Sequence, residues 1–436
     1  MASLFHWLED KRIHYLILAG WGLLLLRRVI PEAHVDFDDA WMALRYAQHL
    51  LDGHGYRWNI GGEPSFGSTS VAFTFWLAGM KFLLGWLLSD VQILAYSSLG
   101  FLFLGSLLLM EVSYRLVGEK LGVTRSTVYA FLAICLSGHY WTYHGTTGMD
   151  TTMAVFANGL FLWSLICLGE KGYSRPWRWV AFIGAAYFSY LVRMDHGIFI
   201  ILTPPLLLML VYRWPWPRVL GLMVLLSIPF WVDLGVKWSY FGDPLPLPYY
   251  VKQFGFYEGY IGYQYWNIFT AMKYYGLLVL PFTIIMVWFW HGDQSIYIGV
   301  SIGIPLFITF LFLGYSVQIM GAKMRYYVPF VPHLTIVAAL IIRTGAESNS
   351  PFAKIGKGIV VTSFIAFLTG VMPSLELIRE AQLLERSVLN MPEGKEMVFS
   401  LFDDSLYDTA DKLAHEINKM PTNVTLAAGE HRASAS

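Results

Sequence analysis

The sequence predicts an all-α protein that crosses a membrane about eleven times. Of its 436 residues, 56% are hydrophobic and only 14% are charged, which is typical of a polytopic membrane protein. Apolar runs long enough to cross the hydrocarbon core at about 1.5 Å per residue recur along most of the chain. Thirty basic and thirty acidic side chains cancel, so the composition excludes the broad positive field of a nucleic-acid-binding protein.

The predicted crossings are separated by polar or basic loops. They lie near residues 13–30, 91–114, 126–143, 152–168, 178–193, 197–212, 219–237, 273–290, 296–314, 326–343 and 358–373. We therefore expect residues 1–373 to form one membrane domain, whose first outer loop, about 31–90, carries helices that lie beside the membrane. Residues 374–436 are expected to form a small soluble tail, in which "LYDTADKLAHEINKM" has the pattern of an amphipathic helix.

The basic loops decide the orientation of these crossings. The apolar stretch from Ser70 to Leu88 could be a further crossing, but counting it would place the basic loop "RLVGEKLGVTR" outside the cell. If this stretch lies in the outer interface instead, four basic loops fall together in the cytoplasm. Arg27 and Arg28 oppose this scheme, because it places them at the outer end of the first crossing.

Three carboxylates, Asp36, Asp38 and Asp39, stand immediately after the first apolar run. The following segment, "AWMALRYAQHLLDG", repeats apolar residues at helical spacing, which predicts a helix on the outer membrane surface with Arg45 on the same stripe as Asp38. Capping of this helix accounts for one acid. Three acids beside a hydrocarbon boundary, with an arginine nearby, favour a general base, and we predict Asp38, Asp39 and Asp36 as catalytic residues.

Further ionisable residues stand at the outer ends of later predicted crossings. Helix capping, the helix dipole or snorkelling accounts for each of them alone. Together they place basic side chains where a phosphate at the membrane surface could bind, Arg through a bidentate fork and Lys as a point charge. The predicted donor-binding residues are Arg45, Asp150, Arg193, Asp195, His196, Tyr249, Lys252 and Arg325.

Nucleotide and metal motifs are absent from the sequence. It has no GxGxxG after a predicted strand, no P-loop and no HExxH, so the phosphate-binding groups favour a lipid-linked phosphate over a nucleotide. Both cysteines, Cys135 and Cys167, lie in apolar runs and are expected to be packing residues. No metal ligand is predicted.

Five blocks of the sequence resemble, in order, membrane glycosyltransferases of the GT-C class and arabinofuranosyltransferase type. The nearest groups are the type IV pilin arabinofuranosyltransferases and the mycobacterial terminal arabinofuranosyltransferases. The resemblance covers roughly residues 30–335 and implies a GT-C fold, with the acidic motif of the family at Asp38 and Asp39. The blocks are "DDAWMALRYAQHLLDGHGYRWNIGGE", "TTGMDTTMAVFANGL", "LVRMDHGI", "YFGDPLPLPYYVKQ" and "MRYYVPFVP".

This resemblance implies a bacterial inner-membrane enzyme with its active site facing the periplasm. Such an enzyme transfers a pentofuranose, D-arabinofuranose in the named groups, from a polyprenyl monophosphate to a periplasmic acceptor. Asp38 or Asp39 would deprotonate the acceptor hydroxyl, while Arg193, Lys252 and Arg325 would neutralise the departing phosphate. A divalent cation is compatible with this chemistry, but no cofactor is required by these residues.

Two departures from the mycobacterial relatives bear on the acceptor. Those proteins tend to carry Gly-Gly-Asp where this chain has Ile319, Met320 and Gly321, and the stretch after Pro373 is shorter than their soluble domain. We therefore expect the pilin type, with transfer to Ser or Thr of a membrane-anchored pilin.

Three alternatives stay open: transfer to a glycan, use of a hexose donor, and a transporter or flippase for a lipid-linked sugar. Ionisable residues at the ends of crossings, away from the midplane, favour an enzyme over a transporter.

Overall fold

A computed structural model describes the fold of residues 11–30, 35, 38–119, 122–137, 139–171, 175–210, 213–253, 294–315, 325–333 and 335. These residues are mostly helical and include no strand, which confirms the all-α prediction for this part of the chain. Three of their helices are long and apolar enough to cross a membrane: Asp90–Ser113, Thr151–Leu168 and Trp216–Phe241. This supports a membrane protein, while the number of eleven crossings and the GT-C class stay predictions.

The helices are numbered here in chain order within the described residues. The first six are α1 (Lys11–Val29), α2 (Asp38–Leu51), α3 (Val71–Leu84), α4 (Asp90–Ser113), α5 (Arg125–Cys135) and α6 (His139–Thr146). The next six are α7 (Thr151–Lys171), α8 (Pro176–Val192), α9 (Gly197–Leu210), α10 (Trp216–Phe241), α11 (Leu247–Gln253) and α12 (Gln294–Tyr315). Short 3-10 turns at Met194–His196 and Val328–Phe330 complete the part that bears the site.

The centre of the bundle is the contact between α4 and α7, which pack along each other. Small residues allow their backbones to approach: a Cβ on Gly105 would lie 3.2 Å from the backbone nitrogen of Phe156. The Ser98 hydroxyl crosses the same contact and donates to the Met149 carbonyl at 3.1 Å. Close packing of small residues and interhelical hydrogen bonds is how helices associate where lipid removes the hydrophobic driving force.

Helices α2 and α3 pack against each other and against α4. The buried stripe of α2 includes Ala43, Leu44 and Ala47, whereas Leu51 at the end of the helix is exposed. Helix α3 has 14 residues and is therefore about 21 Å long, short of the roughly 30 Å of a hydrocarbon core.

The predicted crossing at 126–143 is not one helix. Helix α5 ends at Cys135, the chain turns at Leu136 and Ser137, and α6 begins at His139. The Ser137 hydroxyl donates to the Ala133 carbonyl at 2.7 Å and so satisfies an acceptor of the last turn of α5. Apolar character alone does not indicate this break, and the crossing at 126–143 stays a prediction.

Several predicted elements lie outside the described residues. They are the crossings at 273–290 and 358–373, most of the crossing at 326–343, and the tail at 374–436.

Candidate active site

A cavity of about 400 Å³ lies where the predicted polar segments meet. Its lining comes from α2, the loop before α3, the start of α7, the turn after α8, the segment before α11, α12 and the turn at residues 325–326. These segments are far apart in the sequence, so the fold alone brings them together. The predicted site residues in the lining are Asp39, Asp150, Arg193, Asp195, Tyr249 and Arg325.

Arg325 holds two of the predicted acids. Its Nη1 donates to Oδ2 of Asp39 at 2.7 Å, and its Nη2 lies 3.8 Å from Oδ1 of Asp150. Burial by itself would lower the pKa of Arg325, but the carboxylates of Asp39 and Asp150 raise it, so this side chain stays cationic. The Asp39 side chain is 38% exposed, so a carboxylate reaches the cavity beside a permanently charged guanidinium.

Arg193 forms a second charged group with Asp195. Its Nε and Nη2 donate to the two carboxylate oxygens at 3.1 and 3.2 Å, which is a bidentate fork. Burial would raise the pKa of Asp195, but the charge and hydrogen bonds of the neighbouring Arg193 hold it below its usual range. The ring of Tyr326 lies 5.4 Å from the guanidinium carbon of Arg193 and 5.8 Å from that of Arg325, so one aromatic residue lies beside both cations.

Local backbone geometry explains how these side chains reach the cavity. Gly148 has a φ of +68°, which turns the chain from α6 into α7 and brings Met149 and Asp150 to the lining. A Cβ at Gly148 would also lie 2.9 Å from a methyl carbon of Val35, so the turn requires glycine sterically. Helix α8 ends at Val192, and Arg193 follows in an extended conformation before the 3-10 turn that carries Asp195.

A buried hydrogen-bond network behind the cavity links the two arginine segments. The amide nitrogen of Asn158, on α7, donates to the Pro329 carbonyl at 2.6 Å, and the Ser189 hydroxyl donates to the Asn158 amide oxygen at 2.6 Å. Ser189 lies one turn before Arg193 on α8, and Pro329 lies one turn after Arg325. Asn158 therefore ties together the backbones that carry both cations.

His196 belongs to this network rather than to the cavity lining. Its Nδ1 lies 3.0 Å from the Ser189 hydroxyl, and the side chain is fully buried. Burial lowers the pKa of His196 to about 3, so the imidazole is neutral at physiological pH. The role that the sequence predicts for His196, contact with the donor, stays a prediction that this placement does not support.

Arg45 also lies away from the cavity. It points along the outer side of α2, where its Nε donates to the Trp58 carbonyl at 3.0 Å and its guanidinium stacks on the Trp58 ring at 4.3 Å. Asp38 begins α2 and Lys252 lies in α11, but their side chains are outside the described part, as is all of Asp36.

Three features of the site were not predicted from the sequence. Ser68 and Ser70, in the loop before α3, contribute hydroxyls to the cavity lining, and Tyr326 contacts both arginines. A buried ion pair on α10, in which Nζ of Lys237 contacts Oδ2 of Asp233, lies next to the cavity residue Met194. The run "GSTS" directly before an apolar helix is the signal that would have indicated the serines, but it reads equally well as an ordinary helix start.

The cavity combines charged and apolar walls. The lining includes two arginines and three aspartates together with the hydrocarbon side chains of Leu245, Pro246, Phe312 and Leu313. Such a surface is suited to an amphipathic ligand that carries an anionic group. Within the described ranges, no group of three or more His, Cys, Asp or Glu side chains is arranged to hold a metal ion, and we assign no metal ligand.

Comparisons of this chain with models of protein families, with curated proteins and with solved structures found no match.

Proposed function

We propose that this protein is a glycosyltransferase that transfers a pentofuranose from a polyprenyl monophosphate to a hydroxyl of an acceptor. The single observation that carries the proposal is the cavity in which the acid Asp39 contacts Arg325 while Arg193 lies in the same lining. Base and phosphate-binding groups, predicted from separate parts of the sequence, thereby share one site. The resemblance to arabinofuranosyltransferases supplies the sugar and the donor.

The donor fits the two kinds of wall in the cavity. Its polyprenyl chain would lie along the hydrocarbon side chains near Leu245 and Phe312, and its phosphate would lie near the arginines. Arg325 uses Nη1 for Asp39, and within the described residues its Nε makes no hydrogen bond, so a donor group stays available for an anion. Arg193 and Arg325 would bind the singly charged diester phosphate through N–H groups that remain beside those paired with Asp195 and Asp39, while the carboxylates of the lining offset part of the arginine charge.

The transfer proceeds by attack of the acceptor oxygen on the anomeric carbon of the sugar. The bond between that carbon and the phosphate oxygen breaks, and its electron pair stays on the phosphate as the leaving group. Asp39, or Asp38 beside it in the sequence, takes the proton of the acceptor hydroxyl. The leaving phosphate gains negative charge in this step, and the arginines stabilise that charge more strongly in the transition state than in the bound donor.

Reconstitution tests the reaction. The purified chain is placed in vesicles with polyprenyl-phospho-arabinofuranose and with a membrane-anchored type IV pilin, the acceptor that the resemblance favours. We expect release of polyprenyl phosphate and a pilin whose mass increases by one pentose residue on Ser or Thr.

Each alternative gives a different result in the same vesicles. Unmodified pilin together with new pentose on an added glycan would overturn the protein acceptor and keep the transferase. Movement of the intact donor between leaflets without release of polyprenyl phosphate would overturn the transferase and identify a flippase.

A further inference from the structure

Three residues of the cavity lining carry buried side-chain atoms that make no hydrogen bond within the described part of the chain. These atoms are Oγ of Ser70, Oδ1 of Asp150 and Nε of Arg325. All three residues are more than nine-tenths buried, with exposed fractions of 3%, 5% and 8%. A buried polar atom without a partner costs free energy, so such atoms are rare unless a ligand or water completes them.

Ser70 is the more informative of these residues because it gives up a favourable local contact. It is the N-cap of α3, where a serine hydroxyl ordinarily accepts a hydrogen bond from the first turn of the helix. Here the side chain makes no capping hydrogen bond, and its oxygen is buried without a partner in a residue that lines the cavity. Helix capping therefore explains why a serine is favoured at this position, but it does not explain why the hydroxyl makes no capping hydrogen bond.

The backbone around Ser70 is held by its neighbours. The Thr74 hydroxyl donates to the Ser70 carbonyl at 3.0 Å and lies 3.1 Å from the hydroxyl of Ser68. The Tyr56 hydroxyl lies 3.3 Å from the same threonine oxygen. Because these contacts fix the loop before α3, the unpaired Ser70 oxygen is presented by a structured wall.

The three atoms differ in what they require from a ligand. Oδ1 of an ionised Asp150 only accepts, Nε of Arg325 only donates, and the hydroxyl of Ser70 does either. A phosphate diester offers acceptors alone, so it can pair with Arg325 but not with Asp150. A sugar ring offers neighbouring hydroxyls that donate and accept at once, and it can pair with all three.

We propose that Ser70 and Asp150 form a subsite that binds the hydroxyls of the transferred sugar, with Nε of Arg325 at its border with the phosphate. This inference rests on the proposed function, because it assigns the sugar of the same donor to one part of the cavity. In this arrangement Ser70 and Asp150 bind the sugar hydroxyls, and the arginines bind the phosphate.

The test compares two lipids that share charge and chain and differ only in the sugar. One is polyprenyl-phospho-arabinofuranose, and the other is the methyl diester of the same polyprenyl phosphate. Binding of each to the full chain in detergent is measured by titration calorimetry. We expect the sugar-bearing lipid to bind about 10-fold more tightly or better, as one or two buried hydrogen bonds predict.

Variants then assign that difference to residues. Ser70→Ala and Asp150→Asn should each remove most of the advantage of the sugar-bearing lipid without weakening binding of the methyl diester. Ser164→Ala is the matched control, because this buried serine on α7 donates to the Phe161 carbonyl at 2.7 Å and does not line the cavity. It should bind both lipids as the unchanged protein does.

The outcomes separate this inference from the function on which it rests. If both lipids bind the unchanged protein equally, or if the variants weaken both to the same extent, the subsite is overturned while the transferase stands. If the unchanged protein binds neither lipid, the proposed donor is wrong, and the subsite falls with it.

Discussion

Charged side chains at the cavity are arranged as acid and guanidinium pairs. Asp39 is paired with Arg325 at 2.7 Å, and Asp195 with Arg193 at 3.1 Å. The two acids differ in exposure, because the side chain of Asp195 is 13% exposed and that of Asp39 is 38% exposed. Asp39 is therefore better placed to meet an entering hydroxyl, whereas the buried Asp195 is better placed to orient Arg193.

The first prediction for individual residues concerns the catalytic base. Asp39→Asn keeps the shape of the side chain and removes its charge, so turnover should fall by about 10²-fold or more if this residue accepts the proton. Release of polyprenyl phosphate in vesicles measures it, with Asp38→Asn assayed in parallel. The control is Asp90→Asn, since Asp90 pairs with Lys81 at 2.7 Å and does not line the cavity. Near-normal turnover in both Asp38 and Asp39 variants would exclude this motif as the catalytic centre.

The second prediction at this scale concerns the leaving phosphate. Arg325→Lys keeps the positive charge but loses the planar fork that reaches Asp39 and an anion together, so kcat/KM should fall by about 10-fold or more. Arg325→Ala should cost more, because it also leaves the carboxylate of Asp150 buried without its nearest cation. Steady-state kinetics with the polyprenyl-phospho-sugar measures both. Unchanged kinetics in the alanine variant would mean that the phosphate is held elsewhere.

Among the secondary-structure elements, helix α7 contributes to the site in two ways. The helix begins directly after Asp150. In its second turn, the amide of Asn158 forms hydrogen bonds with Ser189 on α8 and with Pro329 in the 3-10 turn at Val328–Phe330. Arg193 directly follows α8, and Arg325 lies three residues before the 3-10 turn, so neither is on α7 itself. A single buried amide thus sets the spacing of two cations that are 132 positions apart in the sequence.

The prediction for this element concerns Asn158. Asn158→Ala removes the amide that donates to the Pro329 carbonyl and leaves the Ser189 hydroxyl with His196 as its remaining side-chain partner, so the free energy of unfolding should fall by about 1–3 kcal/mol. Turnover should fall as well, because Arg193 and Arg325 lose their common anchor, and thermal unfolding with the vesicle assay measures both. Ser164→Ala, on the same helix, is the control. Lower stability with full turnover per folded molecule would show that the network serves folding alone.

At the scale of the whole bundle, two groups of polar residues lie at opposite ends of α4 and α7. One is the cavity, which is lined by Asp150 directly before α7. The other contains Glu111, which accepts from Arg115 at 2.8 Å and lies 3.7 Å from Arg125, while Arg115 also contacts Cys167 near the end of α7. Helix α4 is about 36 Å long, so this separation matches the two aqueous faces of a membrane.

The prediction at this scale concerns topology. In a chain without Cys135 and Cys167, single cysteines at the exposed positions Glu63 and Asp243 should react with an impermeant thiol reagent applied to intact cells. Cysteines at the exposed positions Thr127 and Trp177 should not react until the cells are opened. Gly148 is unsuitable as a probe, because a Cβ there would meet Val35. Reaction of Thr127→Cys in intact cells would contradict the orientation.

Sequence patterns alone predict the all-α class, the apolar helices and several of the charged residues that meet at the cavity. Apolar character and helical spacing are local properties, which is why α2, α4, α7, α8 and α10 were predicted close to their observed positions. The same locality explains why the break between α5 and α6 was not predicted, because Leu136 and Ser137 lie inside an apolar run. It also explains why Asp39, Asp150, Arg193, Asp195 and Arg325 could be named without knowing their contacts.

Which of these residues lie together depends on tertiary contacts between distant segments. Arg45 and Arg325 look alike in the sequence, yet one stacks on Trp58 at the surface and the other is buried between Asp39 and Asp150. The hydroxyl of Ser70 and the amide of Asn158 carry no charge and stand in unremarkable local sequence, so their roles depend on partners contributed by distant segments. The free energy of a buried polar group is set by what surrounds it, and packing, rather than residue type, supplies those surroundings.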